Sequence, residues 1–233
     1  MNRNSNAYSI RTVQSNESGA NVVAIQYEDG TTYEGDYSNN QKNGFGITTY
    51  PNGDSYEGYF KFDSFEGRGK FVSKEMIYDG FWENGYFHGE GKQQWKDGSV
   101  YHGFFVKGVK KGKGNYLFPD GSRYEGNWEN GKMNGKGVFE HFEGEVYEGE
   151  FKEGVREGLG VLNEKDGRIY QGQFQGGLKH GNGTLVFPNG DQFKGRFLFD
   201  LRDGPGTIYY SDGRVSKTMW KQDKQMLQGN GFQ

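Results

Sequence analysis

Four histidines, a dense set of carboxylates and 41 glycines are the residues of this chain that could do chemistry. His88, His102, His141 and His180 are scattered, with nothing like the HExxH spacing that places two imidazoles one helical turn apart on a zinc ion. The carboxylates Glu34, Glu57, Glu125 and Glu148 recur at regular positions, which fits a solvated strand face and not a unique acid and base pair. Stretches such as GFGITTYPNG and GKGNYLF are rich enough in glycine to suggest a phosphate cradle. A dinucleotide fingerprint, however, needs its glycines to open a helix after a strand, and no helix-length pattern follows here. With no cysteine there is no thiolate nucleophile, thiolate metal ligand or disulfide, as suits a reducing compartment. Neither catalysis, a metal nor a cofactor is expected.

The chain that must position these residues is low in aliphatics. Of its 233 residues 32% are hydrophobic and 17% aromatic, so rings make up about half of a small apolar share. Such low hydrophobicity could mean disorder, but disordered chains are poor in aromatics and this one spaces its rings periodically. With 28 basic and 31 acidic residues the net charge is −3, which gives no overall attraction for nucleic acid. No stretch approaches the ~18 apolar residues of a membrane-spanning helix, and MNRNSNAYSIRTVQSNESGA lacks the apolar centre of a signal peptide. A cytoplasmic protein is the expectation.

The pattern unit is YEGNWENGKMNGKG, Tyr124 to Gly137. Tyr124, Gly126 and Trp128 alternate with polar residues, the period of a strand with one aromatic face. A loop of six, Glu129 to Asn134, is expected next, and Gly135 and Gly137 open a second strand. The unit recurs at Tyr33, Tyr56, Tyr78, Tyr101, Tyr124, Tyr147, Tyr170 and Phe193, a spacing of 23 residues broken once by 22. Every copy has glycine two residues on and an aromatic two beyond that, Tyr37, Phe60, Trp82, Phe105, Trp128, Phe151, Phe174 and Phe197. Turn-formers such as PNGD, KDGS and PDGS close the hairpins. The second copy loses its turn glycine at Ser73-Lys74-Glu75-Met76, and the sixth has Glu164 where others have a ring.

Residues at i, i+2 and i+4 of a strand share one face, so each glycine leaves a socket on the aromatic side, where a ring from a neighbouring strand is expected to lie. Short strands with short connections pair only with their sequence neighbours. The fold class predicted is therefore all-β, an elongated single-layer antiparallel meander of tandem hairpins, twisted and grooved. Residues 1–20 read as a flexible tail, 21–32 as a capping half-repeat, 33–215 as eight repeats and 216–233 as a degenerate ninth repeat or cap, with Gly229-Asn230-Gly231-Phe232 as the ninth repeat's second strand.

The pattern resembles the membrane occupation and recognition nexus (MORN) repeat family, whose YxGxW…GxG hallmark stands here as YEGNWENGKMNGKG and YEGDYSNNQKNGFG, over about Tyr33 to Gly213. The resemblance implies a repeats-only scaffold. The family occurs in radial spokes and other cytoskeletal assemblies, in membrane tethers, and beside catalytic domains of lipid kinases and lysine methyltransferases. The expectation is a non-enzymatic scaffold for proteins of a cytoskeletal complex, in the axoneme of a cilium or flagellum.

Two surfaces are candidates for binding. The first is an aromatic groove formed by Tyr56, Phe60, Tyr78, Trp82, Trp95, Tyr101, Phe105, Tyr124, Trp128, Tyr147 and Phe151, whose rings could equally be plain packing. The second is a basic set, Lys107, Lys110, Lys111, Lys113, Lys132 and Lys136, which would suit anionic phospholipid in a peripheral membrane adaptor. Unpaired terminal strands would also allow self-association.

Overall fold

Apolar and polar residues alternate along this chain in runs separated by turn-formers, and that pattern yields strands. The computed structural model describes residues 7–15 and 21–226, and among them there is no helix. The chain divides into two compact units, Met1–Pro119 and Asp120–Gln233.

In the first unit the strands are Ala7–Ser15 (β1), Asn21–Tyr27 (β2), Thr32–Ser38 (β3), Gln41–Thr49 (β4), Ser55–Lys61 (β5), Ser64–Val72 (β6), Met76–Glu83 (β7), Tyr86–Trp95 (β8), Val100–Val106 (β9) and Val109–Leu117 (β10). Each pairs antiparallel with the next, making one layer. The second unit repeats the plan with Arg123–Glu129 (β11), Lys132–Glu140 (β12), Val146–Lys152 (β13), Val155–Asn163 (β14), Ile169–Gln175 (β15), Leu178–Val186 (β16), Gln192–Leu198 (β17), Leu201–Tyr209 (β18), Val215–Lys221 (β19) and Lys224–Met226 (β20). Both units are antiparallel meanders, as the alternation predicts.

The strands are longer than the sequence suggests. Glu129 to Asn134 is not a loop of six: Glu129 pairs with Lys132 and Trp128 with Met133 around a two-residue turn, Asn130-Gly131. Both turn residues have positive φ, 50° and 79°, the conformation of a tight hairpin turn whose twist matches that of its strands. A bulge hides this pairing from the sequence. Gly126 faces Gly137 while Trp128 faces Met133, so Asn127 spans three residues of β12, and Gly135 takes up the slack at φ 73°. The bulge shifts the alternation, and the segment before it reads as a loop.

The opposite turns are held by side chains. Backbone N–H groups of Asp54, Ser99, Ser122, Arg168, Asp191 and Arg214 each donate to an Asn or Asp oxygen two residues earlier. Where the second copy lacks its turn glycine, Ser73 substitutes: its Oγ accepts from the Met76 N–H at 3.0 Å, and its own N–H donates to the Met76 carbonyl at 2.8 Å.

The termini depart from expectation. Ala7–Ser15, read as part of a flexible tail, is strand β1, and it supplies the hairpin partner that β2 seemed to lack. Its Asn- and Ser-rich surroundings mask the alternating run AYSIRTVQS. The 21–32 segment is thus paired on both sides and is not a cap. At the other end β20 follows β19 after the turn Gln222-Asp223, and Trp220 faces Gln225. The Gly229–Phe232 assignment lies outside the described residues.

The core is a row of rings on one face of each sheet. The ring over the first-strand glycine is the strand's own tyrosine, two residues earlier, and the same ring also covers the glycine opposite on the next strand, so only there does the ring come from a neighbouring strand. A Cβ on Gly137 would fall 2.5 Å from the Tyr124 hydroxyl oxygen, and one on Gly126 would meet the same ring. Lying flat along its strand, the tyrosine delivers its hydroxyl to the carbonyl three residues on. Tyr124 donates to Asn127 O at 2.9 Å, and Tyr33, Tyr56, Tyr78, Tyr101, Tyr147 and Tyr170 repeat the bond. The hydroxyl is therefore buried with a partner, which removes the usual cost of sequestering it.

Candidate functional site

The repeat tyrosines form a continuous packing scheme within each unit. Tyr124 meets Trp128 of its own strand edge-on at 5.4 Å and Phe151 of the next hairpin at 5.1 Å. Tyr56 relates in the same way to Phe60 and Trp82 at 5.1 and 5.3 Å, and Tyr147 to Phe151 and Phe174 at 5.1 and 4.9 Å.

The second residue after each tight turn then covers the tyrosine. Phe65 and Phe87 stack on Tyr56 and Tyr78 at 3.7 and 3.8 Å. In other repeats a cation does this: Lys42 over Tyr33, Lys110 over Tyr101, Arg156 over Tyr147, Lys179 over Tyr170 and Arg202 over Phe193, all within 5.0 to 5.6 Å. Glycine below, rings on both sides and this covering residue above leave little of the ring accessible.

Ten of the eleven residues read as walls of an aromatic groove are accordingly interior. Tyr56, Phe60, Tyr78, Trp82, Tyr101, Phe105, Tyr124, Trp128, Tyr147 and Phe151 are 0–6% exposed, and only Trp95 is half-buried. They hold the sheet and leave almost no ring surface exposed. Burial also pushes the phenols of Tyr124 and Tyr147 up to about 12.

The basic set also needs revision. Lys107, Lys111, Lys113, Lys132 and Lys136 are exposed, and Lys132 is paired with Glu153 at 2.7 Å. Lys110 instead turns to the ring face, where its Nζ lies 4.7, 5.0 and 4.2 Å from the ring centres of Trp95, Tyr101 and Tyr116. Burial pushes its ammonium down to about 8 while the ring faces favour the charged form. This lysine is a covering residue of the ring face, apart from the exposed members of the basic set.

Glu164, the odd residue of the sixth copy, sits against the same column of cations. It is 12% exposed and ion-paired with Lys179, itself 10% exposed, and with Arg168 at 2.5 Å. Where the ring is missing, a carboxylate meets the cation that covers the next tyrosine.

In the second unit a groove of 520 Å³ opens beside Met133, Phe139, His141, Phe151 and Arg156. Its charges are already matched, Arg156 to Glu145 at 3.0 Å and Lys165 to Glu143 at 3.5 Å. Of the histidines, His88 lies 3.1 Å from Glu83 and His102 3.4 Å from Glu90, and among the described residues no three potential ligands converge on a metal position.

The surface that sequence reasoning missed is on the other face. In the first unit Phe45, Tyr59, Phe81 and Phe104 are 43%, 53%, 41% and 51% exposed. They belong to one row running across the strands β4 to β10, in the order Phe45, Tyr59, Arg68, Phe81, Glu90, Phe104 and Lys113. Phe45 faces Tyr59, Arg68 faces Phe81 and Glu90 faces Phe104 in the strand register. Across the bulges at Gly67, Gly89 and Gly112 the remaining neighbours each adjoin a facing glycine pair, Gly58–Gly69, Gly80–Gly91 and Gly103–Gly114, with Phe81 itself paired to His88. Phe45 and Tyr59 meet edge-on at 5.6 Å, and the Arg68 guanidinium lies 5.3 Å over Phe81.

In the second unit Asn127, Glu150, Gln173 and Arg196 hold the places of the rings, with Leu159 and the Pro205–Met219 pair as its apolar members. The signal was available in the sequence: the residue between the repeat glycine and the repeat aromatic is a ring in three successive copies and polar in the later ones.

The family model for the MORN repeat matches eight segments, residues 33–55, 56–74, 78–100, 101–123, 124–145, 147–163, 170–192 and 193–213. No curated protein matches the sequence. Among solved structures, the wild-type TCP10 domain of Danio rerio CPAP is 13% identical, with 88% of this chain and 97% of that chain covered and a TM-score of 0.47. The TCP domain of Drosophila melanogaster SAS-4 (dCPAP), solved in complex with a proline-rich motif of Ana2 (dSTIL), is 11% identical, with coverages of 75% and 83% and a TM-score of 0.40. At these scores the likeness carries no functional meaning.

Proposed function

The chain belongs to the MORN-repeat family, and from that premise we propose that it is a non-enzymatic scaffold that holds other proteins in a cytoskeletal assembly, the axoneme of a cilium or flagellum, in a role like that of a radial-spoke protein. The observation that carries this reading is a division of labour between the faces of the sheet. One face spends its rings on packing in every repeat, so the framework is the same throughout. The other face differs from repeat to repeat, which is how a repeat array acquires distinct contact positions along a common frame. A tagged chain is expected to co-sediment with detergent-extracted axonemes, and proximity labelling to mark axonemal neighbours. A wholly soluble pool with no cytoskeletal label would overturn the proposal.

The second reading, a peripheral adaptor for anionic phospholipid, is favoured by one hairpin tip. Lys107 sits at the turn between the exposed Val106 and Val109, and Lys111 and Lys113 follow on β10, a basic and apolar edge suited to a headgroup layer. Flotation with phosphatidylserine or phosphoinositide vesicles at physiological salt tests it. Changing Lys107, Lys111 and Lys113 to Glu is expected to abolish binding, and undiminished binding would remove these residues from the mechanism.

A further inference from the structure

The row of exposed rings on the first unit is not required by the fold. Tyr59, Phe81 and Phe104 stand at the strand positions of Asn127, Glu150, Gln173 and Arg196, where the second unit builds the same sheet with polar side chains. A strip of exposed rings interleaved with charges, which folding does not need, points to contact with something else.

The order of residues along the strip specifies what. We propose that this face binds a second copy of the same chain, in a two-fold dimer whose axis runs along β7 through Phe81. Such an axis lies in the interface and reverses the strand order of one copy against the other, so β6 faces β8, β5 faces β9 and β4 faces β10.

Under that operation every member of the row meets a complementary one. Arg68 faces Glu90 of the second copy, and Glu90 faces its Arg68. Tyr59 lies against Phe104, Phe45 against the ammonium of Lys113, and Phe81 against Phe81. Charge meets opposite charge, ring meets ring and the outermost ring meets a cation, twice each by symmetry. The existing ionic partners are weak competitors: Arg68 meets Asp79 at 3.8 Å and Glu90 meets His102 at 3.4 Å, both highly exposed, and the Arg68 guanidinium also lies over Phe81.

The area is sufficient. Seven strands at ~4.8 Å spacing and about 23 Å long present roughly 650 Å² per copy, or about 1,300 Å² for the pair, within the range of specific interfaces. One level along the strands Lys70 would face Lys92 of the second copy with Asp79 between them, which places the tightest contact at the ring row and argues for moderate affinity.

The test is sedimentation equilibrium of the full chain over roughly 1 to 200 μM, a range that brackets moderate affinities. A monomer–dimer equilibrium is expected. Arg68→Glu and Glu90→Arg, each of which sets two like-charged pairs face to face, should each weaken it by about tenfold or more. The double variant R68E/E90R restores both pairs in reversed sense and should return the dissociation constant to near that of the parent. Phe81→Ser should also weaken dimerisation, and urea unfolding of each variant reports whether the fold is kept. A chain that stays monomeric throughout, a dimer indifferent to both single swaps, or a double variant no better than the singles would each overturn the proposal.

Discussion

The Tyr124 ring occupies the space that a side chain on Gly137 would need: a Cβ there would stand 2.5 Å from the phenolic oxygen, and the ring cannot move away without breaking its bond to the Asn127 carbonyl. Gly137→Ala is therefore expected to destabilise the chain by about 1–3 kcal/mol through overpacking. The neighbouring Lys136→Ala, at an exposed site, should stay within about 0.5 kcal/mol. Urea midpoints of the two variants measure the contrast, and equal midpoints would remove the ring-over-glycine account.

Tyr124→Phe keeps the ring and deletes only the bond to Asn127. The eighth copy already uses phenylalanine, Phe193, over Gly195 and Gly206, so the ring alone can fill the site. The expected cost is about 1 kcal/mol, against about 3–5 for Tyr124→Ala, which also empties the space between Trp128 and Phe151. Thermal unfolding of both variants provides the comparison.

Alkaline pH should unfold the chain. Burial raises the phenols of Tyr124 and Tyr147 from 10.0 to about 12, so the folded state holds these protons more tightly than the unfolded one. Their contribution is fully present below pH 10 and is lost as pH rises from about 10 towards 12. Urea midpoints should be level in neutral solution and fall steeply above pH 10, and the phenolate absorbance of the buried repeat tyrosines should rise only together with loss of structure. Full ionisation of all tyrosines near pH 10 in a still-folded chain would contradict the burial described here.

Removing one partner of the Glu164–Lys179 pair should matter more than removing the pair. Glu164→Gln leaves the Lys179 ammonium nearly buried and is expected to cost about 3–5 kcal/mol, whereas the double variant Glu164→Gln with Lys179→Met should recover much of that. The exposed contact of Lys96 and Glu75, 3.9 Å apart, is the control, and Glu75→Gln there should change stability by less than about 1 kcal/mol. A double variant no more stable than Glu164→Gln would show that the charge itself is not the issue.

The sequence revealed the repeat and the ring face because Tyr124, Gly126 and Trp128 keep strict alternation in every copy. It concealed the tight turns because the bulge at Gly135 shifts that alternation between the turn and the second glycine. It also concealed which ring fills the glycine socket, since parity assigns a face but not the direction in which a side chain lies. Lys110 counted as a surface lysine for a related reason: only the register, with Lys110 opposite Phe105, places it on the ring side. The Phe45–Lys113 row is not legible from the repeat, because its column changes from rings at Tyr59, Phe81 and Phe104 to polar residues in the later copies.

Seven of the tight turns donate their second N–H to a carbonyl of the preceding hairpin, as Gly85 does to Phe65 and Gly154 to Met133. Among the described residues these bonds and the ring contacts join each hairpin to its sequence neighbours. Gene duplication or loss of a single 23-residue period would alter contacts only at the junction, so evolution can lengthen or shorten the meander within a unit in steps of two strand spacings, about 9.6 Å, as one adds or removes links from a measuring chain.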